Sequence, residues 1–374
     1  MRIKKLVLNG FRSYAHAELL PEEGLNLLYG ANAAGKTNVL EAVFLCALGR
    51  SHRTSRDAEL IGHGLSGAYV GLEIETATGT RTIEIKLRST EQAQKARERK
   101  QIFIDRQRAD KAGELMGVLN VVMFSPEDLA LVKSAPSERR RFMDMELCQL
   151  KPAYYLKAAT YNAALRQRNA LIKEAFANPV DPDMLDMWNV QLARTGAEVM
   201  RQRLAFMDEL STVASDMHRR LTGGREQLFA FYDPDVPAEG DIEYAIYDAL
   251  AASREEDLRR GFTSRGPHRD DIGIKLDETD VRVYGPQGQQ RTAALSLKLS
   301  VIALMRQTTG ESPVLLLDDV LSELDGSRRR ALMELAFDCQ CLMTSTQAET
   351  YDLEGKKTAL YKVEGGMITR TEGR

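Results

Sequence analysis

The sequence predicts an α/β protein with a parallel-sheet core, a β-rich N-terminal lobe and an inserted helical arm. Three observations carry that reading. Near the C-terminal end, the continuous apolar strands "PVLLLDD" and "CQCLMTST" flank a helix around "RRRALMELAF", the pattern of a parallel sheet covered on both faces. The opening third reads as strands, and from about Glu138 to Leu221 the patterning becomes helical.

Taken in order, "IKKLVLN" and "LNLLY" read as strands, and "AYVGLEIETATGTRTIEIKLRS" reads as a hairpin turning at Gly79. The helical stretch comprises "RRRFMDMELCQL", "AYYLKAATYNAALRQRNALIKEAF" and a run from Pro182 to Leu221. Asn178-Pro179 and Asp181-Pro182 mark the turn before that last helix. At about 1.5 Å per residue it spans on the order of 60 Å, the length of an arm. Short strands and loops follow Gly223-Gly224.

Composition narrows the class. The 374 residues, 43% apolar and 28% charged, have an ordinary globular balance. No run approaches the roughly 18 apolar residues of a membrane span. The apolar run in "MRIKKLVLNGFRSY" is too short for a signal peptide, so a cytoplasmic home is expected. Cys46, Cys148, Cys339 and Cys341 lack zinc-site spacing, and Cys339 and Cys341 alternate in what reads as a buried strand. A net charge of -3 excludes a uniformly basic nucleic-acid binder, so DNA contact needs local patches. Candidates are Gln94 to Lys100, Arg106, Arg108, Arg139 to Arg141, Arg166 and Arg168; each is otherwise a solvated face.

The chemistry starts at "GANAAGKT", which fits G-x-x-x-x-G-K-[ST] between a strand and a helix. Gly30, Ala31, Asn32, Ala33, Ala34, Gly35, Lys36, Thr37 and Asn38 are the expected nucleotide-binding run. Backbone N–H groups would close on phosphates, Lys36 would supply a point charge, and Thr37 would offer a hydroxyl to Mg²⁺. Asp318, ending the apolar "VLLLD", is the expected second metal ligand, and Asp319 is placed to polarise the attacking water. Because Lys36 and Asp318 lie far apart, the two ends of the sequence close the site. The division expected is 1–125 for one half of a head, 126–240 for the inserted arm and 241–374 for the other half.

"NGFRSY", "YGANAAGKTNVLEAV", "GRSHRT", "FSPEDLALVKSAPSERRRFMD", "RGPHRDD" and "LLLDDVLSELD", in that order, resemble the RecF family of bacterial DNA repair proteins. The likeness spans essentially the whole chain and implies an ABC-type ATPase head, as in SMC and Rad50 proteins. In such heads two subunits sandwich ATP and Mg²⁺, each lending a signature motif to the other. "GPQGQQR" stands where the signature belongs, so Gln287, Gly288 and Gln289 are expected to meet ATP held by a partner subunit. Pro286 occupies the place of the signature serine and lacks its hydroxyl and N–H. Arg12 resembles the arginine that reaches ATP in cis, and Asn32 the polar residue of the loop. Ser322 to Asp325 look like the D-loop. Asp319 and "TSTQ" (Thr344 to Gln347) replace the glutamate and switch histidine of transporter ATPases, which implies slow turnover. Ser134 stands where the family favours glycine. His268, Asp270 and Asp271 in "RGPHRDD" are read as structural or interface residues rather than metal ligands.

The function implied is an ATP-dependent homodimeric DNA clamp. It would bind single-stranded, gapped or duplex DNA, act with RecO and RecR in loading the RecA recombinase, and hydrolyse ATP weakly with catalytic roles for Lys36 and Asp319. No membrane partner is expected. A transporter ATPase subunit and a scaffold with a degenerate ATP site are the alternatives.

Overall fold

The computed structural model describes residues 1–89, 98–176, 181–348 and 358–371. In chain order the elements begin β1 (Arg2–Phe11), β2 (Tyr14–Leu19), β3 (Leu25–Tyr29), α1 (Lys36–Leu48), β4 (Gly67–Thr76), β5 (Gly79–Arg88), β6 (Lys100–Ile104), β7 (Gln107–Arg108) and β8 (Val121–Phe124). The helical stretch holds α2 (Pro136–Leu150), α3 (Ala153–Glu174) and α4 (Pro182–Thr222). After it come β9 (Leu228–Asp233), α5 (Ile242–Ala252), α6 (Arg254–Arg260), β10 (Asp271–Leu276), β11 (Thr279–Asp280), α7 (Val281–Tyr284) and α8 (Gln287–Thr309). The chain ends with β12 (Val314–Asp318), α9 (Gly326–Asp338), β13 (Cys341–Ser345), β14 (Ala359–Glu364) and β15 (Met367–Thr371). The chain divides into two compact units, one of residues 1–129 and 301–374, the other of residues 130–300.

The first unit holds two six-stranded sheets. One, ordered β2-β1-β4-β5-β6-β7, is antiparallel and is the β-rich lobe. The other runs β15-β14-β3-β13-β12-β8 and is parallel except for its β14–β15 hairpin. The central strands β3, β13 and β12 are buried nearly throughout, as parallel strands covered on both faces must be. Helix α1 is likewise buried on almost every side, which explains its apolar sequence without a strong polar stripe. Cys339 caps the end of α9, and β13 starts at Cys341, so the two do not share a strand as the sequence suggested.

The second unit is a helical layer with a small sheet ordered β11-β10-β9. Lys157 on α3 pairs with Glu198 on α4 at 2.7 Å, and Arg168 with Asn189 at 2.9 Å, so the two helices run antiparallel. Asp181 caps the 41-residue α4 through the Asp183 amide, and Gly223, at φ 66, ends it in the left-handed conformation. Buried positions recur along α4 from Leu185 to His218, so it is packed over most of its length. At Gly196 a Cβ would lie 3.2 Å from each of Tyr161, Ile246 and Pro267, which permits this close crossing. Residues 241–300, expected in the head, pack in this second unit because β10 pairs with β9 from Asp271↔Asp233 to Leu276↔Leu228. No helix among the described residues is long and apolar enough to cross a membrane.

Candidate nucleotide site

The phosphate loop connects β3 to α1. Gly30 at φ 155, Ala33 at φ 64 and Gly35 at φ 108 all have positive φ. A Cβ on Gly30 would fall 2.3 Å from the Val363 carbonyl oxygen, and one on Gly35 would fall 2.7 Å from Ser13 Oγ. Both glycines are therefore required by backbone and by space. Lys36 Nζ donates to the carbonyls of Gly30 and Ala31, each at 2.8 Å, so its ammonium curls back over the loop. Burial pushes its pKa down, against the pull of Asp319 and Asp318. Asn32 is exposed at the loop crest.

Asp318 sits at the C-terminal end of β12, two strands from β3 in the order β3-β13-β12. Thr37 and Thr344 both donate to its Oδ1 at 2.8 Å. Thr344 is opposite Asp318 in the parallel register, and its Oγ1 also accepts the Asp319 amide at 3.0 Å. Thr344 is thus the bridge across the intervening strand. Exposed Asp319 has φ 51, a left-handed backbone that turns the chain out of the sheet immediately after Asp318. Asp325, in the D-loop stretch, caps α9 through the Arg328 amide at 3.1 Å.

Arg12 does not point freely outward. Its Nε and Nη2 hold the two oxygens of Glu41 at 2.8 and 2.7 Å, and its Nη1 donates to the Glu59 carbonyl. Glu41 is fully buried on α1 and also accepts from Ser51. Its pKa lies below the ordinary carboxylate value: burial raises it, but hydrogen bonds from Arg12 and Ser51 and the Arg12 and Arg53 charges outweigh that. Glu41 was not singled out in the sequence, although a lone acid inside "VLEAVFL" is itself a signal that a partner exists.

The signature stretch lies in the second unit. Gln287 and Gly288 are exposed at the start of α8. Gln289 Nε2 donates to Glu226 Oε1 at 2.6 Å, and buried Gln290 donates to the Val281 carbonyl at 3.2 Å. The Pro286 carbonyl accepts the Gln290 amide at 3.0 Å, so the proline opens the helix, where its lack of an N–H costs nothing. The glutamines thus divide into one exposed, one held by a carboxylate and one structural.

Several expected DNA-patch arginines are turned inward. Arg139 pairs with both oxygens of Asp271 at 2.6 and 2.7 Å, Arg140 donates to the Asp270 carbonyl, and fully buried Arg168 pairs with Asp257 at 2.6 Å. Arg106, Arg108 and Arg166 are exposed, as is Arg141 beside Glu138. Residues 94–97 of the first patch, and Asn178-Pro179, lie outside the described residues. In "RGPHRDD", His268 bonds Tyr161 at 2.7 Å and the Thr263 carbonyl at 3.0 Å, while buried Asp270 takes Arg203 at 2.9 Å, Tyr232 and the Asp235 amide. These groups are internal ties of the second unit. Ser134 avoids positive φ, so its turn needs no glycine, and its carbonyl accepts from Arg139.

The RecF/RecN/SMC N terminal domain family matches residues 2–369. The chain is 41% identical to the DNA replication and repair protein RecF of Agathobacter rectalis over 351 residues, covering 94% of each. It is 41% identical to that of Lachnoclostridium phytofermentans over 371 residues, covering 99% of this chain and all of the relative. A solved structure described as the recombination mediator protein RecF-ATP in the RecFOR pathway superposes with a TM-score of 0.90 at 31% identity, covering 99% of this chain and 97% of that one. The Smc head domain of Pyrococcus furiosus, at 16% identity and TM-score 0.54, shares the fold. With the phosphate loop, the Asp318 strand and the helical insertion all in place, the chain belongs to the RecF family of DNA replication and repair proteins.

Proposed function

We propose that this chain is an ATP-dependent DNA repair protein of the RecFOR pathway, with weak ATPase activity and ATP-driven homodimerisation. The observation that carries it is the junction of phosphate loop and Asp318 through Thr37 at 2.8 Å. ATP suits the loop, whose first-turn amides and Lys36 favour phosphate charge. A hydroxyl in the first turn of α1 and a carboxylate at the end of β12 are the hard oxygen donors that Mg²⁺ takes, so Thr37 and Asp318 are its proposed ligands. When bound, the ion neutralises phosphate charge in the reaction. Asp319 is the proposed base or water-orienting group, and its exposure beside the partly buried Asp318 supports that division of labour.

Gln287, Gly288 and Gln289 are proposed to meet the ATP of a second copy. The exposure of Gln287 and Gly288 supports this, as do the amides at the start of α8. DNA is the proposed macromolecular ligand, with Arg106, Arg108, Arg141 and Arg166 the available phosphate contacts. RecR and RecO are the proposed protein partners. Light scattering with and without ATP and Mg²⁺, with a DNA duplex in parallel, tests the reading. A monomer-to-dimer shift on ATP that is lost in Lys36→Ala is the expected result. A Lys36→Ala variant that dimerises and binds DNA as the parent does would leave only a scaffold.

A further inference from the structure

Beside the phosphate loop stands a cluster centred on Glu41, a residue to which the proposed function gives no role. Glu41 is a carboxylate with no exposed surface, set among Leu40, Ala42 and Val43 on α1, one turn after Thr37. Burying a charge there is costly unless it is paired and hydrogen-bonded. Both oxygens are used: Arg12 grips them with two bonds, Ser51 Oγ donates at 2.5 Å, and Arg53 Nη1 approaches to 3.7 Å. One carboxylate set against two guanidinium groups leaves a positive charge unmatched in the cluster.

The cluster is tied to the phosphate loop at several points. Arg12 is at φ 52, a strained conformation for a side chain of its size, in the turn between β1 and β2. The two residues that follow Arg12 reach the loop and the first turn of α1: Ser13 Oγ accepts from Asn38 at 3.0 Å, and Tyr14, at the start of β2, donates to the Gly35 carbonyl at 3.0 Å. Arg53, from the "GRSHRT" stretch, donates to Asn38 Oδ1 at 3.1 Å. Asn38 follows Thr37 directly, so two separate loops carrying two cations are pinned to the first turn of the phosphate-binding helix.

We infer that Glu41 is a positioning residue for the ATP site, holding the Arg12 and Arg53 guanidinium groups beside the phosphate loop for a polyphosphate ligand. The inference rests on the ATP reading given above. Packing alone would be served as well by an apolar residue of similar volume, whereas a carboxylate with paired arginines fixes where positive charge stands. Arg12 uses its planar fork, which a lysine has no means to reproduce.

Affinity for a fluorescent ATP analogue, measured on the full chain, tests it, with thermal melting followed for every protein. Glu41→Gln keeps the shape and removes the charge; it should weaken ATP binding at least about tenfold, the cost of a charge-assisted contact. In an Arg12→Ala, Arg53→Ala background the same change should alter affinity by less than about twofold, because the cations it positions are gone. Glu41→Asp, which keeps the charge on a shorter stem, should fall between parent and Glu41→Gln, and serves the same cycle if the glutamine variant folds poorly. Equal losses in both backgrounds, or no loss in either, overturn the inference. Lys36→Ala run alongside separates the two readings. If it binds ATP as the parent does, the ATP site itself is wrong; if it loses binding while Glu41→Gln does not, only the role of Glu41 is wrong.

Discussion

Thr37 Oγ1 and Asp318 Oδ1 lie 2.8 Å apart although 281 positions separate them. Thr344, on β13 between β3 and β12, donates to the same oxygen at 2.8 Å. Two hydroxyls converging on one carboxylate oxygen leave Oδ2 with its acceptor capacity available to a cation, and they fix the side chain's direction.

Asp318→Asn should therefore abolish Mg²⁺-dependent ATP hydrolysis, with a loss on the order of 100-fold or more, while the fold survives. Thr344→Val should give a smaller loss, about tenfold, since it removes the orienting hydroxyl and not the ligand. Phosphate release measured across a Mg²⁺ titration checks both. Similar losses in the two variants would show that Thr344 is more than an orienting group.

Arg203 joins Asp144, Asp270 and the Pro267 carbonyl at 2.6 to 2.9 Å with its side chain 5% exposed. Arg203→Ala strands two carboxylates, one of them fully buried, and should destabilise residues 130–300 by about 3 to 5 kcal/mol. Urea unfolding gives the value. Because the phosphate loop belongs to the other compact unit, ATP affinity at low denaturant should be retained.

His268 is held largely neutral. Burial brings its pKa from 6.5 to about 4, despite the Thr263 carbonyl, which acts the other way. The folded chain thus binds fewer protons here than the unfolded chain between those pH values. Its contribution is complete above pH 6.5 and is lost as pH falls towards 4, on the order of 2 to 3 kcal/mol. An NMR titration should place the imidazole midpoint near the lower value, and His268→Gln should flatten the acid limb of the stability profile. A midpoint near 6.5 would refute the assignment.

The phosphate loop and Asp318 were legible because each is local. The glycines of "GANAAGKT" follow an apolar strand directly, and Asp318 ends another. Thr344 was not, since its role depends on the parallel register that sets it opposite Asp318. Charge patterning misled at Arg139, Arg140 and Arg168, whose carboxylate and carbonyl partners lie 132, 130 and 89 positions away. Four-residue β8 has no periodicity to announce it, yet it is an edge of the core sheet. The helical insertion was legible from its patterning, whereas its extension to Ser300 depends on long-range pairing between β9 and β10.

The signature stretch yields the last prediction. Glu226 accepts from Gln289 at 2.6 Å and lies 3.6 Å from buried His218, which in turn bonds Ser296 Oγ at 2.9 Å. Glu226 thus links the end of α4 to the first turn of α8. Glu226→Ala frees Gln289 to rotate, and the entropy of reordering it falls on the dimer. ATP-driven self-association should weaken by up to about tenfold, the value of one hydrogen bond. Binding of ATP to the monomer should stay as in the parent, because Lys36 and Thr37 belong to the other compact unit. Sedimentation with ATP, beside titration of a fluorescent analogue at concentrations where the chain is monomeric, separates the two quantities. A loss confined to self-association assigns Gln289 to a partner's nucleotide, whereas equal losses in both would give Glu226 a structural role only.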